Sequence, residues 1–369
     1  MRSRTALPAA IFLIALLATS STTAAPVIIE SKAAHAAELE AVKGHRASIQ
    51  ALADRNDAAG LMLALDQFDA DTNIDPAVRD HLLETTLLQL SRTTPDPATR
   101  AAVSRYGNRP VTTFVRLHEE RGQPAVPLYD LAAAARLTIR VWNTADAMEW
   151  VSMALRAGRW QPGDFLQPQL GLPLQAWQAG TQRALESADR ALVAATKSAL
   201  LQSQTLSNEY DALVLTAGTR LGDADLYGAV IGQGGTHYAR LAIRSVYRAL
   251  GFADATRLLM SASARPELVS AAILELGAHA SNDPAIRDWL LNQLGDPVNG
   301  ASAALALARI ADDEVLNGIQ AVILGDASEL TKLRAALVLR ISDSPAAQSL
   351  RLELLSQTLS SEKLRAALR

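Results

Sequence analysis

The chain has 369 residues, 49% hydrophobic and 4% aromatic, which is enough to bury a sizeable core and long enough for two or three domains. Lysine and arginine number 35 against 38 acidic residues, a formal net charge of −3, and so mild a balance gives no case for general nucleic-acid or anionic-membrane binding. Cysteine is absent, which excludes a disulfide framework, a thiolate nucleophile and an acylated-cysteine anchor.

Alanine and leucine dominate, a composition that favours close helix packing over sheets, so an all-α fold is expected. Arg2 and Arg4, the apolar run from Leu7 to Ala18 and the small residues Thr22 to Ala25 make residues 1–24 a signal peptide, with cleavage expected after Ala24 or Ala25. The run is too short for an ordinary spanning helix, and no later segment approaches that length. A periplasmic or secreted, mildly acidic mature chain without a membrane-spanning segment is therefore expected.

Residues 26–161 read as a less regular helical N-terminal region. Ala58 to Phe68 and Pro76 to Leu90 make one hairpin, and Asp96-Pro97 opens a further short helix. Gln123 to Pro127 is a stiff connector into a helix from about Tyr129 to Trp142, and another helix spans Ala145 to Ala157 and ends at Gly158. Residues 162–206 comprise a breaker-rich linker, Pro162 to Pro173, and one long or kinked connecting helix from Leu174 to Leu206. A domain boundary is expected near 162–174.

Residues 207–369 repeat. Arg220-Leu221-Gly222-Asp223, Arg309-Ile310-Ala311-Asp312 and Arg340-Ile341-Ser342-Asp343 share one pattern at roughly a thirty-residue period. Weaker copies occur at Ala249-Leu250-Gly251 and Glu275-Leu276-Gly277, and the hexapeptide from Lys332 to Leu337 recurs unchanged from Lys363 to Leu368. Each part suits a helix end: arginine opposite the negative end of the dipole, an aliphatic residue closing the stripe, a small residue for the exit, and aspartate to turn the chain or cap the next helix. The best-formed unit runs from Arg265 to Asp296, with Leu268, Ala271, Ala272 and Leu276 on its first helix and Ile286, Trp289, Leu290 and Leu294 on its second. Asp283-Pro284, Asp296-Pro297 and Ser344-Pro345 read as N-cap plus first helical residue. Asp75 to Leu83 matches Asp283 to Leu291 at seven of nine positions, a hint that any repeats in the N-terminal region are degenerate relatives of these.

The pattern, clearest in Ala306 to Asp312, resembles HEAT repeats of the short variety also found in phycobilisome-lyase-like proteins. The resemblance covers about five units and a terminal half-unit, and the units at 236–264 and 265–296 lack the full signature. It implies a right-handed α-solenoid, a curved superhelix whose second helices line a concave face used for partner binding.

Chemistry-bearing motifs are few. His118-Glu119-Glu120 is the nearest polar cluster, but adjacent helical residues do not converge on one ion. Gly232 to Gly235 lacks the preceding strand and following lysine of a phosphate loop, and no Gly-x-Ser-x-Gly turn occurs. No catalytic, cofactor-binding or metal-ligating residue is assigned, and no cofactor is expected. Arg240, Arg244 and Arg248 form a cationic stripe on one helix, read first as a solvated face, and Trp142, Trp150, Trp160 and Trp177 cluster in sequence, read first as core, as is Trp289. The expected function is an exported, non-enzymatic adaptor or scaffold that binds a protein or peptide in the cell envelope. Two alternatives stay open: an enzyme or enzyme subunit with its site in residues 105–175, where Arg116, His118, Glu119 and the tryptophans would have to converge, and a structural envelope component.

Overall fold

The structure, a computed structural model, describes residues 27–30, 42–116, 125–280, 283–357 and 361–369. The leader with both cleavage positions, and His118-Glu119-Glu120, lie outside the described residues. Among those described the chain is all-helical in class, with eighteen α-helices and one small three-stranded sheet. None of these helices is long and apolar enough to cross a membrane. Two separate apolar cores form, one drawn from residues between Val42 and Trp142 and the other from residues between Ala147 and Leu368. The chain divides accordingly into units of residues 1–142 and 143–369.

The first unit contains β1 (Val27–Glu30), α1 (Lys43–Asp54), α2 (Ala58–Ala70), α3 (Pro76–Leu90), α4 (Pro97–Tyr106), β2 (Thr113–Arg116), β3 (Val126–Pro127) and the start of α5 (Leu131–Arg156). Asp57, Asp75 and Asp96 cap α2, α3 and α4 by accepting from the next free backbone N–H groups. The expected hairpin at 58–90 is present as α2 and α3. However, α3 packs on α1, α2 and β2, and on α5 through Thr138 Oγ1 donating to Leu87 O (2.6 Å). It is therefore buried over most of its circumference, taking Asp80 (2% exposed) and Thr86 inward with Leu82, Leu83, Leu87 and Leu90 while Leu88 stays exposed.

Parallel pairing of β1 with β2 and antiparallel pairing of β2 with β3 correct the purely helical reading of residues 26–161. The β-branched and aromatic runs Val27-Ile28-Ile29 and Thr113-Phe114-Val115 supply the strand preference. A second correction is α5, one continuous helix where two were expected. Thr144, a capping residue by preference, is only 5% exposed inside it, so burial overrides the local tendency to break.

The second unit opens with residues whose breakers make a 3₁₀ turn at Pro162–Leu166 and a left-handed turn at Leu170 and Gly171. This stretch is packed, in contrast to the breaker-rich linker expected over Pro162 to Pro173 within residues 162–206: Phe165 is 2% exposed, Trp160 just before it 4%, and Trp177 Nε1 donates to Asp164 O (2.6 Å). The expected connecting helix is two helices, α6 (Leu174–Ser187) and α7 (Arg190–Leu206), parted at Ala188-Asp189. Then come α8 (Asp211–Leu221) and α9 (Ala224–Gln233), α10 (Thr236–Ala249) and α11 (Phe252–Ala262), α12 (Val269–Gly277) and α13 (Pro284–Gln293), α14 (Gly300–Ile310) and α15 (Asp313–Leu324), α16 (Glu329–Ile341) and α17 (Pro345–Ser356), and finally α18 (Glu362–Leu368).

These helices form two rows. In the first, α6, α8, α10, α12, α14, α16 and α18 each pack on the next; in the second, contacts run from α7 through α9 to α11 and from α13 through α15 to α17. First helices meet across small residues, Ala242, Ala272, Ala303, Ala306 and Ala335 all being buried, and a Cβ on Gly277 would lie 2.7 Å from Ala306 Cβ. Second helices present larger residues, among them Leu226, Leu259, Ile286, Leu290, Ile319 and Leu354.

Turn chemistry follows the repeated signature. Gly222 is left-handed at φ 63°, Ala311 takes the same conformation at φ 34°, and Ser342 exits extended. Asp223, Asp283 and Asp312 cap the helices that follow. Asp296 instead holds a turn, accepting from Val298 and Asn299, and α14 begins only at Gly300. Arginines stitch neighbouring units through helix-end carbonyls. Arg220 donates to Ala188 O (3.0 and 2.8 Å), Arg265 to Ile231 O (2.7 Å) and Arg334 to Leu294 O (2.9 Å).

Candidate functional site

The four clustered tryptophans do not converge. Trp142 belongs to the first core, where Nε1 donates to Leu90 O (3.1 Å) and Thr93 O (3.0 Å) and the Arg100 guanidinium stands 5.6 Å from its ring. In the second unit Trp150 and Trp177 pack together at 5.2 Å, and Trp160 is buried beside Phe165. Trp289 is partly buried and packs against the second core. Among the described residues no group of three or more His, Asp or Glu side chains is placed to hold a metal ion.

The glycine-rich loop is spoken for from within. Gly235 precedes α10, and its N–H donates to the buried carboxylate of Asp211 (2.7 Å), which also accepts from Gln204 Nε2 (3.2 Å). An internal anion thus sits where a phosphate would have to go. A second buried acid escaped the sequence reading: Asp80 Oδ2 accepts from both Thr112 Oγ1 (2.6 Å) and Thr113 Oγ1 (2.5 Å), tying α3 to the start of β2. A helical aspartate gives no sequence signal of burial.

A concave feature lies along the first row of helices. One part, of about 470 Å³, lies between α6, α8 and α10 and is lined by Ala212, Leu215, Tyr238 and Leu241 with Gln182, Glu186 and Thr216. At Thr219 and Arg220 it joins a second part of about 500 Å³, lined by Arg190, Leu221, Gly222, Ser245, Arg248 and Ala249. Tyr227 braces the junction from beneath, its hydroxyl lying 2.9 Å from Thr219 Oγ1 and 3.0 Å from Ser245 Oγ. The cleft is thus apolar at one end and cationic at the other.

The arginine stripe of α10 flanks it. Arg240 donates to Glu267 O (3.1 Å), whereas Arg244 and Arg248 are exposed and have no ion pair among the described residues. Further along the row a smaller cleft of about 260 Å³ between α12 and α14 repeats the combination, with Leu274, Ala306 and Ile310 beside Arg309 and Asp312. Basic residues stand in the last turns of α8, α10, α14, α16 and α18, namely Arg220, Arg248, Arg309, Arg340 and Arg365. Sequence periodicity locates the arginines; Arg190, Leu215 and Tyr238 join them only through packing between units. Comparison with protein-family models, with curated proteins and with solved structures finds no match to this chain.

Proposed function

We propose that this protein is an exported, non-catalytic adaptor that binds a protein or peptide through the exposed face of its first-row helices. In this reading residues 174–369 form a right-handed α-solenoid of HEAT-like hairpins. A stack of two rows bends toward the row whose members approach more closely, and the alanines and Gly277 of the first row allow the closer approach. The concave face is then built from first helices, the reverse of what the family resemblance implies. The single observation that carries the reading is the cleft over α6, α8 and α10, an apolar surface joined to arginines that have no carboxylate partner among the described residues. An extended surface of this kind suits a macromolecular partner. Its export rests on the leader pattern.

The test is capture from an envelope extract with the tagged mature protein and with Leu241→Asp/Arg244→Glu, two exposed positions whose replacement leaves the core intact. A partner held in stoichiometric amount by the native chain and released by the double variant supports the adaptor. Recovery of the native protein alone, or equal capture by both, overturns it.

A further inference from the structure

We propose that the cleft between α6, α8 and α10 recognises the C-terminal carboxylate of a peptide whose last residue is apolar. The inference rests on the adaptor reading and names the chemistry of what is bound. Its cationic end holds three guanidinium groups. Arg220 is fixed by two bonds to Ala188 O (3.0 and 2.8 Å), and Arg190 by a bond to Leu221 O. A guanidinium has five N–H donors, so each keeps donors beyond those bonds, while Arg248 is exposed and without a partner among the described residues. Preorganised donors of this kind suit a carboxylate, whose two oxygens accept paired N–H groups.

The protein does not neutralise this end itself. Asp223 and Asp225, the carboxylates just beyond Gly222, are held by Lys197 Nζ at 2.6 and 2.8 Å. Glu186 lines the other part of the cleft, and Asp189, next to Arg190, lines neither. The apolar part lies within the size range of small-ligand cavities and offers Leu215, Tyr238 and Leu241 to a side chain. A peptide fits better than a fatty acid because Gln182, Thr216, Thr219 and Ser245 are distributed along the path. Thr216, Thr219 and Ser245 donate to Ala212 O, Leu215 O and Leu241 O of their own helices, which leaves their oxygens to accept from peptide N–H groups, and Gln182 can bond either peptide group, whereas an alkyl chain would use none of these.

The test measures fluorescence anisotropy of labelled hexapeptides ending in Leu, Val or Phe, each as the free acid and as the C-terminal amide, against the full mature chain. The free acid should bind at least about tenfold more tightly than the amide. Arg248→Gln should lower free-acid affinity more than amide affinity and so narrow that preference, Arg190 and Arg220 keeping the remainder, and Leu241→Asp should weaken both. Both variants must keep the native circular dichroism and melting curve, which their exposed positions predict. Equal affinity for acid and amide overturns the proposal, as does tight binding of decanoate with no binding of any peptide. Should the captured envelope partner be lost with Leu241→Asp yet be insensitive to Arg248→Gln and to excess free-acid peptide, the carboxylate inference fails while the adaptor reading stands.

Discussion

Gly222 and Ala311 occupy the same station of the repeated turn, both left-handed, and only one of them is free of a Cβ. Gly222→Ala should cost about 1–2 kcal/mol, the ordinary penalty of a side chain in that conformation, since its Cβ would also come within 3.1 Å of Ala249 O. Ala311→Gly should recover only about 0.5 kcal/mol, because relief of strain is offset by loss of a buried methyl worth about 0.8 kcal/mol. Urea unfolding of both variants checks the asymmetry, and equal and opposite shifts would refute it. At the next residue, partial burial pushes the Asp223 carboxyl up, but Lys197 and the N–H groups of Leu226 and Asp225 outweigh it and hold its pKa below the ordinary 3.8. Side-chain hydrogen bonds to Asp223 and then to Asp225 hold Lys197 above 10.5. Their mutual stabilisation is therefore full between those values, lost on one side as pH falls through the folded pKa of Asp223 and on the other as pH rises through that of Lys197. Asp223→Asn retains a capping side chain and loses the ion pair, so it should cost about 1 kcal/mol or less at pH 7. The difference from the native chain should vanish in acid, which melting curves recorded from pH 7 to pH 2 will show; a constant difference would mean that the pair contributes nothing. Signature residues such as these were legible because their work is local. Asp80 was not, since its partners Thr112 and Thr113 are thirty residues away.

The contact between α12 and α14 sets two rules about glycine against each other. Gly277 is the last residue of α12, where alanine is favoured by no more than about 1 kcal/mol, but a Cβ there would stand 2.7 Å from Ala306 Cβ and 3.3 Å from Ala306 Cα. The second distance involves backbone that cannot swing aside, so overpacking should win and Gly277→Ala should destabilise by about 1 kcal/mol or more. Adding Ala306→Gly removes the clash from the other side, and the double variant should be more stable than the two single losses predict, with coupling of about 1 kcal/mol. Simple additivity in chemical denaturation would show that the helices separate freely and that close approach is not what shapes the row. Element boundaries were legible wherever cap and stripe agreed, as at Asp283-Pro284. They failed where tertiary packing opposed local preference: Thr144 is buried inside an unbroken α5, Ala188-Asp189 parts α6 from α7, and Phe165 draws a breaker-rich stretch into the core. The cleft was half legible, because one helix displays the spacing of Arg244 and Arg248 whereas Arg190, Leu215 and Tyr238 come from three helices.

Two segments alike at seven of nine positions show what lies beyond local sequence. Both Asp75-to-Leu83 and Asp283-to-Leu291 form capped helices, but Asp80 is buried in α3 while its counterpart Asp288 is exposed in α13. The first helix is enclosed by α1, α2, β2 and α5; the second meets its neighbours in a row. The same cap and stripe therefore serve two units with separate cores, and periodicity could announce only the one that repeats. A difference in cooperativity follows. In a row where each pair touches only its neighbours, stability is close to a sum of local and nearest-neighbour contributions. Leu276→Ala, at a position with no exposed surface, should cost about 2–5 kcal/mol, and amide hydrogen exchange should report that loss unevenly. Protection should fall most in α12 and in α14 and α11, which pack most closely on it, less in α10 and α13, least in α6 and α18, and remain unchanged in α1 to α4. A uniform fall throughout residues 143–369 would mean that the second unit melts as one globular core, and the proposed serial stacking of hairpins would have to be given up.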